Sequence, residues 1–476
     1  MSATFEVLRA RHGDRHKWLV LLTVMIGTMA SILSSTIVNV AIPDLSQHFH
    51  LGQERAQWVS SGFMLAMTLS MLTTPWLLLR FGLRRTYTVA ILVLLTGGVL
   101  GGFSVNYSML LSMRVLEGLA SGILQPIPAI VILRAFDLKE QGRALGIFGF
   151  GVVLAPAIGP SVGGVLVEHF GWQSIFFVVV PFCLVVLVLI RRYLSTNSPL
   201  MGDARRFDWK GLLLAGTCTV TVLNGLVHLQ DDSVLAVAML ALSLVSFIGF
   251  IAWQARTDAP LMNLKLFGYR QFSMGGLVAF IYGMGLFGST YLLPVYLQMA
   301  LAYSPSRAGL VLLPAGVVLA ITIPLAGKMA DRYPPNVLVS IGLALLSLSL
   351  GLMALGQPGG SYLLLMAWAV IGRVGLGFVL PALSLGAMRG VDHSLIAQGA
   401  SALNFLRQLG GAIGVSLVGI VLEWRLAIHR SDPGIAPTDM ANRLRAFDET
   451  FFFVAVLCAI AVFAAWRMRA VPVTTL

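Results

Sequence analysis

Charge is what this sequence has least of. Asp, Glu, Lys and Arg together make up 11% of its 476 residues, against about 25% in a soluble globular domain. Hydrophobic residues reach 57% and the mean hydropathy is +0.87, a balance that excludes an ordinary soluble domain. Cysteine is also scarce. Cys183, Cys218 and Cys458 stand far apart in apolar stretches without metal-ligand spacing, so they read as small buried hydrophobes. No Walker phosphate loop, nucleophile elbow or metal-ligand cluster is present, which leaves the sequence without the marks of an enzyme. The short alternating segments of a membrane barrel are missing too. Met1–Lys17 is polar and basic rather than apolar. No cleavable leader is expected there, and the first apolar span, from about Trp18, is expected to be its own signal.

What the chain does have is long apolar runs. About fourteen of them reach roughly 18–25 residues, enough to cross a hydrocarbon core of about 30 Å as helices. The expected class is an all-α polytopic membrane protein. With the N-terminus placed inside, 23 of the 32 Lys and Arg residues fall in inner loops and tails, 6 in outer loops and 3 within spans. That asymmetry predicts both termini in the cytoplasm of a multi-pass inner-membrane protein. It also explains a pI near 10.1 without nucleic acid, since no stacking aromatics interleave with the basic clusters. The longest outer loop is expected from Glu423 to Asp448, as a solvated segment.

Within the spans, charge is confined to four residues. Arg114 and Glu117 stand one turn apart in Ser112-Met-Arg-Val-Leu-Glu-Gly118, on one helix face. A charge at the bilayer centre costs at least about 2.5–3.5 kcal/mol, so the pair is either a structural ion pair or a substrate or proton site. Arg373 and Arg407 have no acid at helical spacing in their own spans. Each is expected to bind carbonyls, polar side chains such as Asn404, or an anionic substrate group. Tyr282, Met284, Phe287, Tyr291, Tyr296 and Met299 gather in the ninth span, as core or lipid-facing packing or as the wall of a greasy pocket.

The halves repeat weakly. Gly122-Ile-Leu-Gln-Pro126 recurs as Gly377-Phe-Val-Leu-Pro381. The basic turn carrying Arg80, Gly82, Arg84 and Arg85 has a counterpart in Gly327-Lys-Met-Ala-Asp331-Arg332. Repeats with Gly/Pro-interrupted helices mark alternating-access transporters, with the site between halves. Several stretches then resemble the fourteen-span drug:proton antiporter branch of the major facilitator superfamily, the EmrB/QacA-like group. They are Thr36-Ile-Val-Asn39-Val-Ala-Ile-Pro43, Gly151-Val-Val-Leu-Ala-Pro156-Ala-Ile-Gly159-Pro160-Ser-Val-Gly163-Gly164, Phe207-Asp-Trp-Lys-Gly211, Leu293–Gln298 with Tyr303–Leu310, and Asn404-Phe-Leu-Arg407-Gln-Leu-Gly-Gly-Ala-Ile-Gly414.

The resemblance implies a major facilitator fold: a six-helix bundle over 1–200, an extra helix pair over 201–260 and a second bundle over 261–476. It implies proton-coupled export of hydrophobic or amphipathic compounds, driven by the proton gradient without a cofactor or metal. Proton coupling is expected at Glu117 and Arg114. Asn39, Tyr282, Met284, Phe287, Tyr291, Asn404 and Arg407 are the expected cavity residues. Arg80, Gly82, Arg84, Arg85, Pro156, Gly159, Pro160, Gly163, Gly164, Asp331 and Arg332 are the expected gating residues. Expected partners are a small-molecule substrate and the lipid bilayer, with a periplasmic adaptor as a further candidate, and the chain is expected to be a monomer. Alternatives are export of a lipid, siderophore or anionic metabolite with different coupling, or a non-transporting scaffold or sensor. The branch usually carries an acid just before the Thr36 run, where this chain has Ser34, and Gln where it has Glu117. Its first basic motif usually has Gly and Asp where this chain has Pro75 and Leu79. The reading is therefore that the membrane acid has moved from the first span to the fourth. For topology, a Cys placed at position 435 is expected to react with an impermeant maleimide from outside intact cells. Labelling only from the cytoplasmic side would refute this orientation.

Overall fold

The computed structural model describes residues 13–195, 206–229, 233–356, 361–430 and 439–469, and every regular element among them is helical. The first group comprises α1 (Arg15–His48), α2 (Gln53–Ser70), α3 (Thr74–Gly102), α4 (Tyr107–Leu124), α5 (Ile127–Ala135), α6 (Gln141–Phe170), α7 (Ser174–Phe177) and α8 (Val179–Tyr193). A hairpin follows, α9 (Trp209–Val227) and α10 (Ser233–Arg256). The second group is α11 (Arg270–Val295), α12 (Pro305–Ala330), α13 (Pro335–Ala354), α14 (Tyr362–Met388), α15 (Ile396–Arg430) and α16 (Asp439–Trp466).

Thirteen helical runs among the described residues are long and apolar enough to cross a membrane. One of these, Arg55–Gly102, has 48 residues. At 1.5 Å per residue it would be roughly 70 Å long, more than twice a hydrocarbon core. It breaks at Gly82, whose φ of 74° and ψ of 168° lie in a region essentially reserved for glycine. Divided there, the described runs give fourteen crossing segments. The fourth span is likewise two pieces, because Pro126 cannot donate to the helix before it and starts α5 afresh. Two six-span bundles with a helix pair between them in sequence result, as the resemblance implies. Each bundle has its own apolar core, one around Val24, Tyr87, Ile91 and Leu124, the other around Phe272, Leu343, Phe447 and Phe451.

Local chemistry sets the ends. The Asn106 side chain accepts from Met109 N at 2.8 Å and opens α4. Ser304 accepts from Arg307 N ahead of Pro305 at the first position of α12. Asp208 opens α9 by accepting from Gly211 N, and it also accepts from Trp253 Nε1 and Gln254 Nε2 at 2.8 and 2.7 Å. One carboxylate thus ties the two hairpin helices together at one end. The hairpin leans on α15 and α2, and so touches both bundles.

The expected outer loop from Glu423 to Asp448 is shorter than the sequence suggested. The chain stays helical to Arg430 and is helical again from Asp439; 431–438 lie outside the described residues. Glu449 holds the two extensions together, paired with Arg425 and His429 at 3.2 Å each. Charge that looked like a loop signal is an inter-helix clasp.

The bundles meet through α6 and α12. A Cβ on Gly142 would lie 2.4 Å from Gly327 O, one on Gly146 3.0 Å from Pro324 Cα, and one on Gly149 2.6 Å from Ile323 Cγ2. Backbones approach this closely only where side chains are absent. Eighteen residues make five full turns, so Gly164 shares the face of Gly146, and Gly309 shares that of Gly327. Neither Gly164 nor Gly309 has a foreign atom within 4 Å, nor has Gly316 between them. The same two faces touch at the end rich in arginine, called the basic end below, and part toward the far end. The halves enclose a cleft closed at the basic end and open at the far end. Gly327→Val overpacks the contact by about 1–3 kcal/mol. Spin labels at positions 165 and 313, on the far ends of α6 and α12, should move to shorter separations in that variant; an unchanged distance distribution would contradict the contact's role.

Candidate functional site

Deep in the first bundle, Arg114 and Glu117 project from α4 and are fully buried. Arg114 Nη1 donates to Glu117 Oε2 at 2.7 Å and to Ser34 Oγ at 3.2 Å. Ser34 Oγ also stands 3.2 Å from Glu117 Oε1, which accepts from it. Arg114 Nε donates to Val59 O at 3.2 Å, and the guanidinium lies 4.3 Å from the Phe63 ring centre. Three helices therefore converge on one pair: α1 through Ser34, α2 through Val59 and Phe63, and α4 through the ions themselves. The fourth, α3, makes room. A Cβ on Gly97 would sit 2.7 Å from Glu117 Cγ, and Gly118 and Gly122 let α4 close on α2. A pair this buried holds together only because each charge neutralises the other and finds further hydrogen bonds. Ser34, where the resemblance places an acid, touches the acid that this chain carries on α4.

The second bundle treats its charges differently. Arg373 and Arg407 are partly accessible, and among the described residues each donates to a neutral side chain. Arg373 Nη1 donates to Thr290 Oγ1 at 3.3 Å, and Arg407 Nη2 to Asn404 Oδ1 at 2.9 Å. No carboxylate among the described residues pairs with either. A small cavity of about 40 Å³ between the halves is lined by Arg407 and Asn404 from α15, Leu380, Pro381 and Ser384 from α14, and Gln125, Ala129, Leu145, Phe148 and Val152 from the first bundle. Arg373 precedes Leu380 by seven residues and Ser384 by eleven, so it shares their face of α14.

The other expected cavity residues are spread out. Tyr282 is buried and donates to Leu376 O at 3.1 Å, which ties α11 to α14. Met284 is buried against Gly414 of α15. Phe287 fits against Gly411, and Tyr291 is exposed. Asn39 is exposed and accepts from Ser60 Oγ at 2.7 Å. Of this set, Asn404 and Arg407 are the two that line the cavity between the halves.

Among the expected gating residues, Asp331 bridges the halves. Its carboxylate, at the end of α12, accepts from Gly142 N at 2.6 Å and Arg143 N at 2.8 Å. These are free donors of the first turn of α6, where a negative charge meets the positive end of the helix dipole. Burial holds the Asp331 carboxyl above its ordinary range, and the two N–H donors oppose that shift. Arg332, Arg80 and Arg85 are exposed. Arg84 is half-buried, and Gly82 makes the break described above. Gly159 and Gly163 pack α6 against Thr36 and Ile37 of α1, inside the first bundle, whereas Gly164 faces open space. Pro156 is half-buried; the side chain of Pro160 lies outside the described residues. The close contact between halves falls earlier on α6, at Gly142, Gly146 and Gly149. Sequence reasoning passed over that stretch, although Gly-x-x-x-Gly is a known signal of close helix approach.

Comparison with known proteins places this geometry. The Major Facilitator Superfamily profile matches residues 24–415. The chain is 31% identical over 426 residues to the Multidrug resistance protein B homolog of Mycobacterium tuberculosis strain H37Rv, covering 87% of this chain and 78% of that one. It is 28% identical over 403 residues to the riboflavin transporter RibZ of Clostridioides difficile, covering 84% and 87%. In three dimensions it resembles the proton:xylose symporter XylE with a TM-score of 0.66 over 95% of both chains, at 13% identity, a likeness of fold alone. Two bundles closing on a central cleft and a match over most of the sequence lead to one conclusion: this chain belongs to the Major Facilitator Superfamily, and it is a membrane transporter rather than an enzyme.

Proposed function

We propose that this chain is a proton-coupled exporter of hydrophobic or amphipathic compounds, of the fourteen-span EmrB/QacA-like branch, working by alternating access. Its basic end lies in the cytoplasm of a bacterial cell membrane, and the cleft described above is the outward-open state. The observation that carries the coupling is the contact of Ser34 with the buried Arg114–Glu117 pair. A coupling group must exchange its proton as the cleft changes sides, and it needs a partner that competes for the carboxylate. Burial favours the neutral form of an acid and a neighbouring cation favours the charged one. Arg114 and Glu117 supply both influences in one place. The names of several relatives, multidrug and lincomycin resistance proteins among them, support the export reading. Asp331 at the first turn of α6 is the latch of the outward-open state, and breaking it is part of the return inward.

The proposal makes a paired prediction. Reconstituted Glu117→Gln, which keeps an acceptor for Arg114 and Ser34, should fold and lose substrate accumulation driven by a pH gradient. Because Ser34 Oγ is 3.2 Å from the carboxylate, Ser34→Asp combined with Glu117→Gln should restore part of that accumulation. Arg114→Ala should abolish transport and cost about 3–5 kcal/mol of stability, the usual result of stranding one member of a buried pair. A Glu117→Gln protein that still builds the gradient would sink the coupling role.

A further inference from the structure

We propose that the C-terminal wall of the cleft is an anion-binding site and that the transported amphiphile carries a carboxylate, sulfonate or phosphate held by Arg373 and Arg407. The proposal deepens the export reading, on which it depends only for the direction of transport.

The first argument is depth. Arg373 lies eleven residues into α14 from the far end, and Arg407 eleven residues into α15 from the basic end. At 1.5 Å per residue each is about 16 Å along its helix, near mid-bilayer. Cations at that depth are paired, or they face water or a ligand. Arg114, seven residues and so about 10 Å into α4 from the far end, shows how the fold neutralises a cation that has no ligand to meet: it is fully buried against Glu117. Among the described residues, Arg373 and Arg407 donate side-chain hydrogen bonds to the neutral Thr290 and Asn404 and pair with no carboxylate.

The second argument is direction. On α11, Tyr282 and Gly275 face α14, while Gly283 and Phe287 face α15. The helical positions put Thr290 between these two faces, on the side of the opposite bundle. Arg373 reaches Thr290 from the α14 face that lines the cavity at Leu380 and Ser384. Arg407 lines that same cavity. The two guanidinium groups therefore face the cleft, Arg373 toward its open end and Arg407 toward its closed end.

The third argument is surroundings. The polar lining at the closed end, Gln125, Ser384, Asn404 and Arg407, is neutral or cationic, and its remaining lining is apolar. An amphiphile with one negative group satisfies both parts. Its anion takes charge-assisted hydrogen bonds from the fork of the guanidinium, and its apolar body extends from this small cavity toward the open end of the cleft. The two arginines offer successive holds along one path.

The test uses two fluorescent probes of one shape, 1-anilinonaphthalene-8-sulfonate and its uncharged parent N-phenyl-1-naphthylamine. Both are titrated onto the full-length protein in nanodiscs of zwitterionic lipid, without a proton gradient. The wild type should bind the sulfonate at least about tenfold more tightly than the parent. Arg373→Gln and Arg407→Gln should each weaken sulfonate binding by about tenfold or more, the ordinary effect of losing a bond to a charged group. Binding of the uncharged parent should not change, which also reports that the variants are folded. The Lys variants should retain more sulfonate binding than the Gln variants, and Arg389→Gln, just past the basic end of α14 and not in the lining of the cavity between the halves, should behave as wild type. Equal affinity for the two probes, equal loss of both in the Gln variants, or Lys variants no better than Gln would overturn the site. Sulfonate preference with no pH-driven transport would leave the site standing and reject the coupled-export reading instead.

Discussion

A charge in the middle of a bilayer must be neutralised or must reach water, and the two bundles of this transporter meet that constraint in opposite ways. In the first bundle, Arg114 is sealed against Glu117, with Ser34, Val59 O and the Phe63 ring around it, while its Nη2 is buried without a hydrogen-bond partner among the described residues. The helices around it are held to that cluster by glycines that leave no slack. In the second bundle, Arg373 and Arg407 are left with neutral partners and face the cleft. One half thus keeps a closed ion pair, the other an open pair of cations. On the proposed reading these are separate tasks, proton handling and ligand holding, carried by different halves. They communicate only through the rocking of one half against the other.

The two halves meet on a close-packed surface. Gly142 and Gly146 meet Gly327 and Pro324 almost backbone to backbone, and Asp331 reaches across to the first turn of α6. The equivalent turn of the first half lacks an acid, since Leu79 stands where the resemblance places Asp. Its partner helix in the second half, α15, is preceded by a short turn capped within the same bundle, by Asp392 on Ser394 N at 2.7 Å. Among the described residues the carboxylate latch is therefore found on one side of the pseudo-symmetry.

Much of this was legible in the sequence because hydrocarbon imposes a strong pattern. The spans, the extra pair and the family could be read from hydropathy and from a handful of Gly/Pro motifs. The isolation of Glu117 as the deep acid followed from its place within an apolar run. Its contact with Ser34 did not, because a first-span and a fourth-span residue are brought together only by packing of α1 on α4. Tyr282 and Met284 show the opposite limit. Aromatic and sulfur side chains suit a greasy pocket and a helix interface equally, and here they fill the seams of α11 with α14 and α15. The charged stretch after Glu423 looked like loop because its partners are distant in sequence, and Glu449 makes it a clasp. The glycines at 142 and 146 were readable as a close-packing signal, but nothing local said that the partner would be the other half.

The central claim is that Glu117 titrates while the rest of its cluster holds still. Infrared difference spectroscopy of the reconstituted protein across a pH series tests it without a known substrate, since a buried protonated carboxyl has a C=O stretch well separated from solvated ones. The account predicts a pH-dependent carboxyl band in the wild type that is missing from Glu117→Gln and returns, shifted, when Ser34→Asp is added. An identical pH-dependent band in wild type and Glu117→Gln would contradict it and assign the proton to another group.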